Sequence, residues 1–142
     1  MYSLKIFIIF LFSLLTGNSC LATDLKIHIV GIKNSLGNIH IALFNNPNNF
    51  PSESTIYKKS EVKIQDNQSI HTFYQLSPGS YALAVYHDEN DNDRFDLNFL
   101  GLPQERYGFS NNASAFLSPP SFDAAKIKLE HKDLEIKIDL SK

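Results

Sequence analysis

The chain has 142 residues, with 13 basic against 15 acidic side chains and a single cysteine. A formal charge of −2 gives no reason to expect nucleic acid or an anionic membrane surface as partner. One thiol cannot form an internal disulfide, so the fold must rest on its core, helped at most by a metal.

The first stretch reads as a targeting segment. Lys5 is the only charged residue before Asp24, and Ile6 to Leu15 is almost wholly apolar. Cys20-Leu21-Ala22 puts small residues three and one before a cut after Ala22. This pattern predicts a secretory signal peptide over residues 1–22 and a mature domain over 23–142, periplasmic or secreted. A bilayer-spanning helix takes roughly 20 apolar residues, so no transmembrane segment is expected in the mature protein. Lipid attachment at Cys20 is the alternative to cleavage. Cleavage leaves 12 basic residues against 15 acidic, a net charge of −3, and no thiol for nucleophilic or metal chemistry.

Residues 24–30 alternate, with Leu25, Ile27 and Ile29 opposite Lys26 and His28, as a half-buried strand does. A turn at 33–37 leads to a second alternating run over 38–44, with Ile39, Ile41 and Leu43 on one face. These two strands are expected to pair as a hairpin. His28 and His40 would then meet on its polar face, either as two solvated rings or around a shared metal. Residues 45–60 are polar, and Pro51 is placed to open a short helical turn, with Phe50, Ile56 and Tyr57 pinning the connection. Short strands follow at 61–65 and 69–75 around a turn at Asp66-Asn67-Gln68, and the second strand does not reveal which face points inward. Pro78-Gly79 forces a turn, after which Tyr81 to Tyr86 is apolar on both faces, as a central strand would be. Residues 122–129 read as a strand with Ala125, Ile127 and Leu129 inward. Leu134, Ile136, Ile138 and Leu140 then alternate with Glu135, Lys137 and Asp139. About seven strands and no strong helical period predict an all-β fold: a single antiparallel immunoglobulin-like or transthyretin-like sandwich with one long irregular loop.

The loop carries the chemistry. Asp88, Asn90 and Asn92 occupy positions one, three and five, Arg94 position seven and Asp96 position nine. Oxygen donors at alternate positions can wrap calcium, with Arg94 supplying its backbone carbonyl. This spacing resembles the calcium loops of EF-hand and dockerin modules. It departs from them at position six, Asp93 in place of glycine, and at position twelve, Phe99 in place of glutamate. Glu105, further along, is the candidate to supply the missing carboxylate. The competing reading is a metal-free loop of Asx-turns. Beyond it, Tyr107, Phe109, Asn111 and Asn112 are candidate ligand-binding residues for an envelope glycan or a protein partner, or else plugs over the end of the sandwich. No complete catalytic constellation emerges. His87 has no nucleophile, Ser110 has no base, and hydrolysis by Asp96 and Glu105 would need both carboxyl groups facing one cleft.

Two resemblances attach to these motifs. Leu76 to Tyr81, L-x-P-G-x-Y leading into a strand, resembles the transthyretin-like and carboxypeptidase-regulatory-like sandwich modules. More of the chain resembles a bacterial family of exported domains of unknown function. The shared runs are L-x-P-G-x-Y-A (Leu76–Ala82), H-D-x-N-x-N-x-x-x-D (His87–Asp96) and G-x-P-x-E-x-Y-G-F-S-N (Gly101–Asn111). That resemblance implies a small exported β-domain of Gram-negative bacteria with no assigned activity.

Overall fold

Apolar alternation decides which segments become strands and which way they face. A computed structural model describes residues 22–141. The leader expected over 1–22, with Cys20, lies outside the described residues except for Ala22. Within them the chain forms β1 (Thr23–Val30), β2 (Asn38–Phe44), β3 (Lys58–Lys63), β4 (Ser69–Leu76), β5 (Gly79–Asp88), β6 (Tyr107–Phe109), β7 (Ile127–Leu129) and β8 (Leu134–Asp139). A helix of four residues, α1 (Phe122–Ala125), precedes β7. One sheet has the order β4-β1-β8. The other has the order β3-β2-β5-β6, with β7 also paired to β5. The all-β sandwich expected from the sequence pattern is the architecture found, with eight strands among the described residues. It includes one parallel pair, β1 with β8.

Three expectations need correction. First, β1 and β2 do not pair. The chain passes through Gly31, which takes a φ of 70°, and crosses to the second sheet. His28 therefore sits beside Glu135 on β8, His40 lies beneath the acidic loop, and the two rings share no site. Second, residues 122–125 are helical. Ser121 follows two prolines and accepts a hydrogen bond from the Ala124 N–H, capping a helix before the strand can begin. Ala125, Ile127 and Leu129 are buried all the same. Third, β3 starts at Lys58, and Gln65 pairs with Gln68 around Asp66-Asn67. Their φ values of 50° and 57° make that turn a tight hairpin loop. On β4, whose facing the alternation left open, Phe73 and Leu76 point inward and Ile70 and Tyr74 outward.

The main core lies between the sheets. It holds Leu25, Ile27 and Ile29 from β1, Ile39, Ile41 and Leu43 from β2, Leu83 and Val85 from β5, and Ile138 from β8. A second cluster covers the back of the larger sheet, where Phe44, Ala82, Phe109, Phe122 and Ala125 pack with Phe50 and Ile56. β5 is apolar on both faces because both faces are covered. From the second cluster a line of rings runs along the back of the sheet. Phe109 is followed by Tyr107 (6.0 Å between centroids), Phe95 (5.6 Å), Tyr86 (5.4 Å) and His40 (4.8 Å, stacked). This line ends under the acidic loop. Among the described residues no helix is long and apolar enough to cross a membrane.

Candidate functional site

β5 carries His87 and Asp88 to the end of its sheet, and both are fully buried. The His87 ring places Nε2 2.7 Å from the Leu36 carbonyl. A carbonyl can only accept, so Nε2 carries a proton toward it; Nδ1 is buried without a hydrogen-bond partner. The ring is a pin between β5 and the turn before β2. Gly37 allows this approach: at φ 64°, a Cβ there would stand 1.8 Å from the Asp88 carbonyl oxygen.

Asp88 winds the loop. Its Oδ1 accepts from the Asn92 N–H at 3.1 Å and its Oδ2 from the Asp93 N–H at 2.8 Å. Asp91 and Asp93 both take left-handed backbone, at φ 59° and 60°. Asp93 thus adopts at position six the conformation that glycine adopts most readily. The Asp96 carboxylate receives the amide of Asn90 at 2.7 Å and that of Asn92 at 3.0 Å. Asn92 Oδ1 in turn accepts from the Arg94 N–H at 2.9 Å. Asp88, Asn90, Asn92 and Asp96 are therefore tied into one loop, with the Arg94 residue exposed.

Glu105 does fold back. Its Oε1 accepts from the Glu89 N–H at 3.3 Å and its Oε2 from the Asp96 N–H at 3.0 Å, so one carboxylate clasps both ends of the loop. It is only 8% exposed. Burial pushes the Glu105 carboxyl up, the charges of Asp88 and Asp96 push the same way, and the two N–H bonds oppose them without reversing the shift. Burial also works to raise Glu89, but hydrogen bonds from Lys33 and Asn34 and the Lys33 charge bring it below its ordinary value. The Tyr86 phenol beneath the loop is pushed up to about 12, by burial first and then by Asp88, Glu105 and Asp93. Among the described residues Lys33 pairs with Glu89, and the His40 ring lies 3.4 Å from Asp88 and 3.7 Å from Asp93, while Asp96 and Glu105 have no basic partner.

The residues expected to bind a glycan or peptide make contacts within the fold. Phe109 belongs to the second core cluster, and Tyr107 is half-buried between Phe95 and Phe109. Asn111 donates to the Lys126 carbonyl at 2.6 Å, and Asn112 accepts from the Asp139 N–H at 2.9 Å. The Ser110 hydroxyl accepts from the Leu83 N–H and donates to the Ala125 carbonyl, so its proton is committed to a carbonyl. Exposed apolar side chains stand nearby at Leu97, Phe99, Leu100 and Leu102, and elsewhere at sites such as Phe116 and Leu117.

His40 has neighbours that its place in the alternation does not reveal. Strand register sets Glu61, His40, Tyr86 and Tyr107 in one row across β3, β2, β5 and β6. Asp93 comes over this row from the loop, and ligand atoms of His40, Glu61 and Asp93 lie within 4.8 Å of one another. Alternation marks His40 as facing away from the main core, but only the register identifies its neighbours.

Comparison with known proteins places the chain in a family without naming an activity. No curated protein and no solved structure matches it. Residues 27–137 match a family described as an uncharacterised protein conserved in bacteria, DUF2141, and that span takes in both strands flanking the loop and the loop itself. The chain belongs to the DUF2141 family of uncharacterised bacterial proteins.

Proposed function

We propose that this chain is an exported, non-enzymatic domain whose acidic loop takes a calcium ion, and that the ion stiffens the loop for a structural or binding role at the cell envelope. The observation that carries the reading is the buried Glu105 carboxylate, held beneath a loop that already carries Asp88 and Asp96. Like charges gathered away from water raise one another's energy, and a divalent cation relieves that cost.

The donor types suit a hard cation. Calcium takes 6–8 oxygens, and this loop offers Asp88, Asn90, Asn92, the Arg94 carbonyl, Asp96 and Glu105. Asn90 presents its amide nitrogen to Asp96, and rotation of that amide by half a turn presents its oxygen instead. Asn92 must also give up the Arg94 N–H to do the same. Bound calcium would supply positive charge and a cross-link. The chain supplies the rest: Asp88 keeps the loop wound through the Asn92 and Asp93 N–H groups, and Glu105 holds its two ends together.

Calorimetric titration of the purified protein with calcium tests this. A dissociation constant of about 10⁻⁴–10⁻³ M is expected, within the range of extracellular modules. Asp96→Asn should abolish the heat without unfolding the domain. Absence of calcium uptake by the unsubstituted protein contradicts the reading.

A further inference from the structure

We infer that His40, Glu61 and Asp93 form a second metal site, for zinc or a similar borderline divalent ion, on the back of the larger sheet beside the calcium loop. Glu61 and His40 are direct cross-strand partners on β3 and β2, so their side chains leave the sheet together. Tyr86, the partner of His40 on β5, stacks on its ring with an interplanar angle of 8° and fixes the ring plane. The ring Nε2 is buried and makes no hydrogen bond, although it lies 3.4 Å from Asp88 Oδ2 and 3.7 Å from Asp93 Oδ1. A buried ring nitrogen among carboxylates with no aligned partner is what an imidazole ligand awaiting its ion looks like.

The distances suit the ion. Zinc holds nitrogen and oxygen ligands at about 2.0–2.2 Å, so neighbouring ligand atoms in a tetrahedron stand about 3.4 Å apart. The Asp93 oxygen, 3.7 Å from Nε2, is already near that separation. Glu61 is exposed and long enough to close the remaining gap by a rotamer change. One imidazole with carboxylates is a borderline donor set that favours zinc over calcium. Asp93 is the position-six residue of the loop, and neither it nor His40 nor Glu61 belongs to the calcium donor set, so the two sites can be separated by substitution.

The test titrates the purified protein with zinc, and with cobalt(II) as a coloured substitute, in calcium-containing buffer. One zinc per chain is expected. His40→Gln should weaken zinc by at least about 100-fold, the upper end of what removal of an outer-shell partner costs. Glu61→Gln should weaken it measurably; because Glu61 is exposed, its fold is not at risk. His131→Gln, in an exposed turn, should change nothing. Cobalt should show the visible absorption of a tetrahedral site, and His40→Gln should lose it. No zinc uptake, or equal affinity in His40→Gln, overturns the assignment, and so does loss in His40→Gln with Glu61→Gln unchanged. Calcium uptake should survive His40→Gln, so failure of the zinc site and failure of the calcium loop read out separately.

Discussion

The two ends of the segment from Asp88 to Asn112 use their polar side chains in opposite ways. In residues 107–112 the polar atoms tie the segment to the rest of the fold: Ser110 to β5 and α1, Asn111 to the end of α1, Asn112 to β8. In residues 88–96 most are tied to one another and to Glu105, with Glu89 held by Lys33 and Asn34, and the carboxylates of Asp88, Asp96 and Glu105 that they bring together have one sign. The first arrangement is self-sufficient and explains itself as structure. The second is held by backbone N–H groups but leaves negative charge uncompensated at Asp96 and Glu105. The difference teaches that a run of Asn and Asp serves as plain structure where its donors and acceptors are spent on the rest of the fold.

The contrast is open to attack from both sides. Phe109 anchors the second half in the core, so Phe109→Ala should cost about 3–5 kcal/mol in chemical denaturation. A loss below about 1 kcal/mol would return that ring to the list of binding candidates. At the root of the first half, Gly37→Ala drives a methyl group into the Asp88 carbonyl in left-handed backbone. A loss of roughly 2–3 kcal/mol is expected, with calcium affinity falling in parallel as the loop shifts.

Tyr86 reports its burial beneath the charged loop. Its phenol is raised to about 12, so the folded protein retains a proton there that the unfolded chain has lost. Stability should therefore be unaffected below pH 10 and decline as pH rises from about 10 toward 12. Ultraviolet titration should find this phenolate forming last, and Tyr86→Phe should flatten the alkaline decline. The smallest effect belongs to Asp93→Gly, which relieves left-handed backbone at φ 60°. A change of no more than about 1 kcal/mol is expected in the absence of metal, with calcium binding retained.

Much of this was legible in the residues. Strict alternation in β1, β2 and β8 marked strands and their inward faces, and Tyr81 to Tyr86 announced a central strand because both its faces are apolar. Pairing was not legible. Nothing in residues 24–44 says that the chain crosses between sheets at Gly31 rather than turning back, since local pattern fixes facing but not neighbours. For the same reason alternation puts His40 on the polar face without revealing Glu61 as its neighbour. Ser121 after two prolines was a readable cap for α1, masked by the strand-like run that follows. Within the loop, spacing identified Asp88, Asn90, Asn92 and Asp96 as a group. That Glu105 returns to them across nine residues is a tertiary fact.

The central claim is tested most directly by thermal melting of the purified protein, in about 2 mM calcium and again in excess chelator. For a dissociation constant near 0.2 mM, binding should add about 1.4 kcal/mol and raise the midpoint by roughly 5 °C. In Asp96→Asn the two midpoints should coincide, whereas in Asn112→Ala the midpoint should be lower in both buffers and the calcium shift intact. Identical midpoints in calcium and chelator for the unsubstituted protein would contradict the account.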